Sequence, residues 1–166
     1  MNNTPLVSVI VPCYNHESYV LSCIEGIVNQ TFIDFELIVI DDGSQDKSPD
    51  ILKELQTKHN FTLILQENMG VSSTLNRALK EFAKGKYVCI CASDDYWGLN
   101  KLELQVQFME NNLDVPMCYG KTYYIDEQSK IIEKYDSENS VLKGGYIFND
   151  IFTFKLHPPV NYMFRA

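Results

Sequence analysis

Between Val7 and Cys91 the sequence alternates short, continuously apolar runs with longer segments of helical periodicity, and this alternation restricts the fold severely. Val7 to Val11 is a β-branched run that ends at Pro12 and reads as a strand buried on both faces. From Glu17 to Gln30, Val20, Ile24, Ile27 and Val28 recur at helical spacing, so one face packs inward. Glu36 to Ile40 (ELIVI) is a second strand, broken by Asp41-Asp42-Gly43-Ser44. Ser48 and Pro49 then supply an N-cap and a first-turn proline for a helix reaching about His59. Thr62 to Leu65 is a third strand. Val71, Leu75, Leu79 and Phe82 mark a third amphipathic helix, which Gly85 stops before a fourth strand, Tyr87 to Cys91. Helical crossovers return each strand to the same direction, so β-α-β-α-β-α-β predicts an α/β fold with a mostly parallel sheet flanked by helices.

The pattern changes in the last third. A helix from Lys101 to Asn112 is opened by Asn100 with Glu103 three residues on, a variant of the capping box. Met117 to Ile125 and Ile131 to Tyr135 read as strands of a hairpin turning at Asp126 to Lys130. Gly144-Gly145 precedes a short helix with Ile147, Ile151 and Phe154 on one face, ended by His157-Pro158-Pro159. The closing YMFRA has apolar residues without a cap or polar tail, so the chain is expected to be a fragment of something longer. One domain is the expected count for 166 residues.

Composition excludes several classes. Fourteen Lys+Arg against 22 Asp+Glu give a net charge of −8, and the cations are scattered singly with Arg77 and Arg165 the only arginines, which argues against nucleic acid as a partner. At 45% hydrophobic and 22% charged residues the chain can build a packed core and is far from the disordered regime. No apolar run approaches the roughly 20 residues of a membrane-spanning helix. The start, MNNTPLVSVIVPCYN, has no basic region and too short an apolar stretch for a secretory signal, so a cytoplasmic location is expected. Cys13, Cys23, Cys89, Cys91 and Cys118 show no zinc-ligand spacing and read as reduced packing residues; Cys89 and Cys91 share a strand face.

In open parallel sheets, ligands bind at the carboxyl ends of the strands. Four polar segments fall there: Pro12-Cys13-Tyr14-Asn15-His16, then Asp41 to Asp46, then Glu67-Asn68-Met69-Gly70, then Ser93-Asp94-Asp95. Neither G-x-G-x-x-G nor G-x-x-x-x-G-K-[ST] is present, which disfavours a dinucleotide oxidoreductase and a P-loop ATPase. A nucleotide held without such a cradle needs another counter-charge, and Asp94 and Asp95 on one Mg²⁺ or Mn²⁺ would supply it. An isolated Asp pair is as readily a helix cap or an Asx-turn. The second pair, Asp41-Asp42, on the same edge favours the ligand reading. Tyr14 can stack on a base, and a carboxylate beside it can accept the imino N–H of uracil; taken singly, Tyr14 is more often a packing aromatic. His16 and His59 carry little information, and His157 before Pro-Pro is as readily a turn residue.

VSVIVPCYN, ELIVIDDGSQDKS, ENMGVSSTLNRAL, GKYVCICASDDYW and NKLELQ, in this order and spacing, resemble the nucleotide-binding region of family 2 glycosyltransferases with the Rossmann-like GT-A fold. The resemblance spans Val7 to Gln105. It implies a nucleotide-sugar-binding half over residues 7–112 and the start of an incomplete acceptor-side region over 113–166. It also implies transfer of a sugar from a UDP- or dTDP-sugar to an acceptor hydroxyl with inversion. By this resemblance Pro12 and Tyr14 line the base pocket, Asn15 belongs to the nucleotide-sugar-binding residues, Asp42 hydrogen-bonds the base, and Asn68 and Gly70 close over base and ribose. Asp94 stands near the ribose or metal, and Asp95 is the direct metal ligand of a DXD-type motif for Mg²⁺ or Mn²⁺.

Two positions depart from the family pattern. Ala92-Ser93-Asp94-Asp95 stands where many members read Asp-x-Asp-Asp, and Leu75 occupies the place of an Arg, with Arg77 two residues later. No catalytic residue is assigned within the chain, since the family's general base is expected beyond Ala166; Asp126, Glu127, Asp136 and Asp150 lack the matching context. The implied partners are a nucleotide-diphospho-sugar donor and a glycan or lipid-linked acceptor in surface-polysaccharide or glycoconjugate synthesis. Peripheral association with the inner face of the membrane, through the missing C-terminal part, belongs to the same expectation. The alternative is a non-catalytic nucleotide-sugar-binding module lacking the base. A phosphatase or phosphoreceiver would need its principal Asp after the first strand, where Pro12 and Tyr14 stand.

Overall fold

A computed structural model describes residues 4–120, 122–126, 130–134 and 161–166. The elements are β1 (Val7–Cys13), α1 (Val20–Val28), β2 (Phe35–Asp41), α2 (Ser48–Lys58), β3 (Thr62–Leu65) and α3 (Val71–Arg77), which runs on into a wider turn over Ala78–Phe82. They continue with β4 (Tyr87–Ile90), α4 (Lys101–Asn111), β5 (Met117–Tyr119), β6 (Tyr123–Ile125), β7 (Ile131–Lys134) and β8 (Tyr162–Arg165). Two compact units result, Met1–Cys118 with Met163–Ala166, and Tyr119–Tyr162. No described helix is long and apolar enough to cross a membrane.

The main sheet has the order β3-β2-β1-β4-β8-β5. β1 lies parallel to both β2 and β4, and β2 parallel to β3, so the α/β, mostly parallel architecture read from the sequence is the one observed. Strand alternation divides the core. Val7, Val9, Val11, Leu37, Val39 and Cys89 pack with α1, α2 and α4 on one face, while Ile10, Ile38, Ile40 and Val88 meet Ala78, Leu75 and Phe82 on the other. The chain winds outward from β1 to β3 and then returns to place β4 on the opposite side of β1. The loops after β1 and β4 therefore diverge, opening a crevice at their carboxyl ends.

Several local expectations change. YMFRA forms β8, which runs antiparallel to β4 with Cys89 opposite Met163, and makes the sheet mixed. Its reason is tertiary: Arg165 Nη1 donates to Tyr87 Oη (3.0 Å), Nη2 donates to the Met109 carbonyl near the end of α4 (3.3 Å), and the guanidinium covers the Tyr87 ring. The run from Met117 to Ile125 is not one strand. β5 joins the main sheet, and only β6 pairs with β7 as the expected hairpin, because Gly120 turns its N–H to Asn161 Oδ1 (3.2 Å) instead of a ladder. Asn100 makes no side-chain cap; Glu103 instead accepts the Thr31 hydroxyl (2.7 Å). At α2, Asp46 caps Ser48 N–H (2.9 Å), and the Ser48 hydroxyl is turned to His16 N–H. The free cysteines are reduced, and Cys13, Cys23, Cys89 and Cys91 are buried, as expected of packing residues. The helix expected around Ile147, Ile151 and Phe154, together with Glu127, Asp136, Asp150 and His157, lies outside the described residues.

Ser8 explains why a glycine ends the turn before β4. Its buried hydroxyl donates to Glu36 Oε1 (2.6 Å) and accepts the N–H groups of Lys84 (3.0 Å) and Gly85 (2.8 Å). A Cβ on Gly85 would lie 2.5 Å from Ser8 N and 2.7 Å from Val7 C, both backbone atoms that cannot rotate away. Gly85→Ala is therefore expected to destabilise the domain by about 2–3 kcal/mol. A thermal or urea unfolding midpoint checks this; an unchanged midpoint would show that the turn yields freely.

Candidate functional site

The rim of the crevice is laced from backbone and small polar side chains. Asn15 sits at φ 55°, a left-handed conformation that Asn tolerates, and this aims its groups at the loop after β2. Asn15 N–H donates to Ser44 Oγ (2.9 Å), while Asn15 Oδ1 accepts Gln45 N–H (2.8 Å). Glu17 N–H donates to Asp46 Oδ2 (2.9 Å) and Lys47 N–H to Glu17 Oε2 (2.8 Å). Burial works to raise the Asp46 carboxyl, but the bonds from Ser48 and Glu17 hold it below the ordinary range. The loops after β1 and β2 are thus one hydrogen-bonded unit, with Pro12 half-buried beneath it and Tyr14 45% exposed above.

Asp42 organises the next loop. It is only 4% exposed, and its Oδ1 accepts Gln66 Nε2 (2.7 Å) and Met69 N–H (2.9 Å) while Oδ2 accepts Gly70 N–H (2.9 Å). Burial acts to raise its acidity constant, yet the donors from Gln66, Met69, Thr74 and Gly70 outweigh it, so the carboxylate stays charged below the usual Asp range. Gly43, at φ 77°, makes room: a Cβ there would approach Asn68 N to 2.7 Å. Asp41 lies behind, its Oδ1 accepting Ser44 N–H (3.0 Å) and its buried Oδ2 without a hydrogen-bond partner. Asn68 is exposed on the loop that Asp42 anchors.

The opposite lip carries Asp94 and Asp95. Ser93 is buried and meets His16 Nδ1 across the crevice at 2.7 Å, and the same nitrogen lies 3.9 Å from Asp94 Oδ1. Cys13 joins the two sides beneath them, with Ser93, Asp41 and Asp46 all near its thiol; burial pushes that thiol up to about 11. The acids of the second and fourth loops therefore share one rim. Burial, and then the neighbouring Asp94 charge, raise the Asp95 carboxyl above the ordinary range, and no hydrogen bond or ion pair holds its side chain among the described residues. Hydrogen bonds tie down the stretch behind it. Gln30 donates to the Gly26 and Gly98 carbonyls (2.9 and 2.8 Å) and accepts Leu102 N–H (3.0 Å). The Lys101 amine, which burial holds below the usual lysine range, caps the buried Trp97 ring at 3.4 Å.

Whether the acids suit a divalent cation can be judged from this geometry. No cluster of three or more His, Cys, Asp or Glu able to hold a metal occurs among the described residues. Two carboxylates, one of them half-buried, unbonded and in like-charge repulsion, instead fit a Mg²⁺-type ion that takes one or two protein ligands and completes its shell from phosphates and water. Of the residues singled out in the sequence, Tyr14, Asn15, Asp42, Asn68, Gly70, Asp94 and Asp95 lie in the loops of this rim, while Pro12 is still part of β1, one residue before its end. His16 was set aside in the sequence and Gln66 and Asp46 were given no role, yet each belongs to the rim. Asp46, three residues before Pro49, carried a capping signal; for His16 and Gln66 only the fold brings the partners together.

Helices on both faces of a mostly parallel sheet, with acid-bearing loops at its switch point, define a GT-A-type α/β domain. The chain belongs to glycosyl transferase family 2, whose model matches residues 8–161. An uncharacterized glycosyltransferase of Methanocaldococcus jannaschii is 36% identical over 160 residues, covering 93% of this chain and 54% of that protein. The chondroitin synthase of Escherichia coli is 32% identical over 133 residues, 80% of this chain and 19% of the other. Among solved structures, S. aureus TarS shares the fold with a TM-score of 0.73 at 24% identity, over 96% of this chain and 46% of that one. The mannosyltransferase PcManGT of Pyrobaculum calidifontis, in complex with GDP-Man and Mn²⁺, aligns with a TM-score of 0.61 at 28% identity, over 68% of this chain and 34% of its own. The chain thus spans about half the length of the first relative and a smaller share of the second.

Proposed function

We propose that the chain supplies the donor-binding half of an inverting, metal-dependent glycosyltransferase. It would move a sugar from a UDP- or dTDP-sugar to a glycan or lipid-linked acceptor hydroxyl in polysaccharide or glycoconjugate synthesis at the cytoplasmic face of a membrane. The observation that carries the reading is the Asp42 carboxylate, kept ionised at the crevice across from Asp94 and the unbonded Asp95. An ionised carboxylate only accepts, which matches the imino N–H of uracil or thymine and opposes the lone pair at the same position of cytosine. Tyr14 stacks on the base, and Pro12 and Asn15 complete that wall. Asn68 and Gly70, on the loop Asp42 anchors, close over the ribose.

On the other lip Asp95, with Asp94, would hold Mg²⁺ or Mn²⁺, which when bound supplies Lewis-acid stabilisation of the departing diphosphate. The mannosyltransferase with GDP-Man and Mn²⁺ supports a metal and a nucleotide-diphospho-sugar, and the chondroitin synthase supports a polysaccharide product. Calorimetric titration of the chain with UDP, dTDP, GDP and CDP, with and without Mn²⁺, tests the reading. UDP or dTDP is expected to bind at least about tenfold more tightly than CDP, the worth of one matched buried hydrogen bond. Chelation should weaken that binding. Equal affinity for all four bases overturns the assignment of Asp42. Hydrolysis of, or transfer from, a UDP-sugar separates an enzyme from a nucleotide-sugar-binding module.

A further inference from the structure

We infer that Arg77 is a positioning residue for base selectivity, acting through the side-chain amide of Gln66 to hold Asp42 as a hydrogen-bond acceptor. This rests on the reading of Asp42 given above and extends it to a residue that touches neither the proposed base nor the carboxylate.

A glutamine amide has two chemically different ends, an accepting oxygen and a donating nitrogen of nearly the same shape. In the structure Arg77 Nη1 donates to Gln66 Oε1 at 2.8 Å. A guanidinium has donors only, so nothing but the oxygen end of the amide can face it. Gln66 Nε2 is thereby turned inward, where it donates to Asp42 Oδ1 (2.7 Å) and to the buried Thr74 Oγ1 (2.9 Å). With the amide reversed, Oε1 would confront Asp42 Oδ1, two acceptors that can share a hydrogen bond only if the carboxyl gains a proton. Thr74 acts in the same sense, since its one hydroxyl proton goes to Asp42 and leaves Oγ1 to accept from Gln66. A protonated Asp42 would donate, and would then match cytosine instead of uracil.

Arg77 is itself fixed on its far side. Its Nε donates to Glu81 Oε2 (3.1 Å) and its guanidinium lies 5.7 Å from the centre of the Phe82 ring. The planar fork serves Glu81 and Gln66 at once, which a lysine ammonium on a flexible stem does not reproduce. The arrangement Glu81–Arg77–Gln66–Asp42 therefore orients a loop after β3 from a helix that begins on its far side.

The test is the ratio of CDP to UDP dissociation constants, measured on the full chain with Mn²⁺. Arg77→Met is expected to reduce the preference for UDP by about fivefold, chiefly by weakening UDP, and Arg77→Lys to restore only part of it. In a Gln66→Leu background the same Arg77→Met change is expected to leave the ratio unaltered, because the path to Asp42 is already cut. Thermal unfolding of each variant confirms that it is folded. Equal losses for UDP and CDP, or an undiminished effect of Arg77→Met in the Gln66→Leu background, overturn the inference and leave the assignment of Asp42 standing. A wild-type chain with no preference for UDP over CDP overturns that assignment and this inference with it.

Discussion

Asp42→Ala is expected to weaken UDP binding by about a hundredfold while inorganic diphosphate loses less than about threefold. The substitution removes the acceptor proposed for the base and also frees Gln66, Met69 N–H and Gly70 N–H, which position the loop that closes over the nucleoside. Hydrogen bonds to a charged partner contribute about 1.5–3 kcal/mol each, so the loss of the base contact together with loop order amounts to about two decades in affinity. The diphosphate is assigned to the other lip and should be little affected. Paired calorimetric titrations with UDP and diphosphate measure this; equal losses would mean that Asp42 acts on the domain as a whole.

The same residue makes a pH prediction. Its folded acidity constant lies below the ordinary Asp value, because four donors outweigh the opposing effect of burial. The ionised form therefore stabilises the native state above the unfolded value near pH 4, and that contribution is lost as pH falls through the folded one. Asp46 acts in the same sense. Urea midpoints at pH 6 and pH 3 should differ more for the wild type than for Asp42→Asn.

Asp95→Asn is expected to abolish the response of UDP binding to Mn²⁺ and to lower turnover by at least about a hundredfold, with no loss of stability. A metal ion contributes several kcal/mol to stabilising a departing oxyanion, which sets the size of the kinetic effect. Stability should hold or rise because the charge at Asp95 is disfavoured in the fold, by burial and by Asp94, and is relieved by no protein donor among the described residues. A structural aspartate would show the opposite pattern, losing stability on neutralisation. Unchanged metal dependence would remove Asp95 from the site.

Sequence reading reached the parallel half of the molecule because the information there is local. Val7, Val9 and Val11 against Ile10, or Val20, Ile24 and Ile27, record in their spacing which face will be covered, and a run buried on both faces followed by an amphipathic helix leaves few topologies open. The rim acids were legible for the same reason, since a loop after a parallel strand must lie at the carboxyl edge. YMFRA was not legible as a strand. Its place beside β4 depends on Arg165 finding Tyr87 and the Met109 carbonyl, 78 and 56 residues away. The division of Met117 to Ile125 between the main sheet and a hairpin has the same origin, because a three-residue strand carries too little periodicity to name its partner.

Local chemistry thus determined the class of fold, the edge on which a ligand would lie and the residues at that edge, since periodicity and turn chemistry operate over a few residues. Only the tertiary structure decided how those residues are held. It turned Asp42 into a carboxylate locked by Gln66 and the 69–70 backbone, brought His16 against Ser93 across the switch point, and linked Arg77 to the rim through one amide. Hydrogen bonds between groups 11 to 77 residues apart leave no trace in local pattern, and they set which polar groups remain available to a ligand.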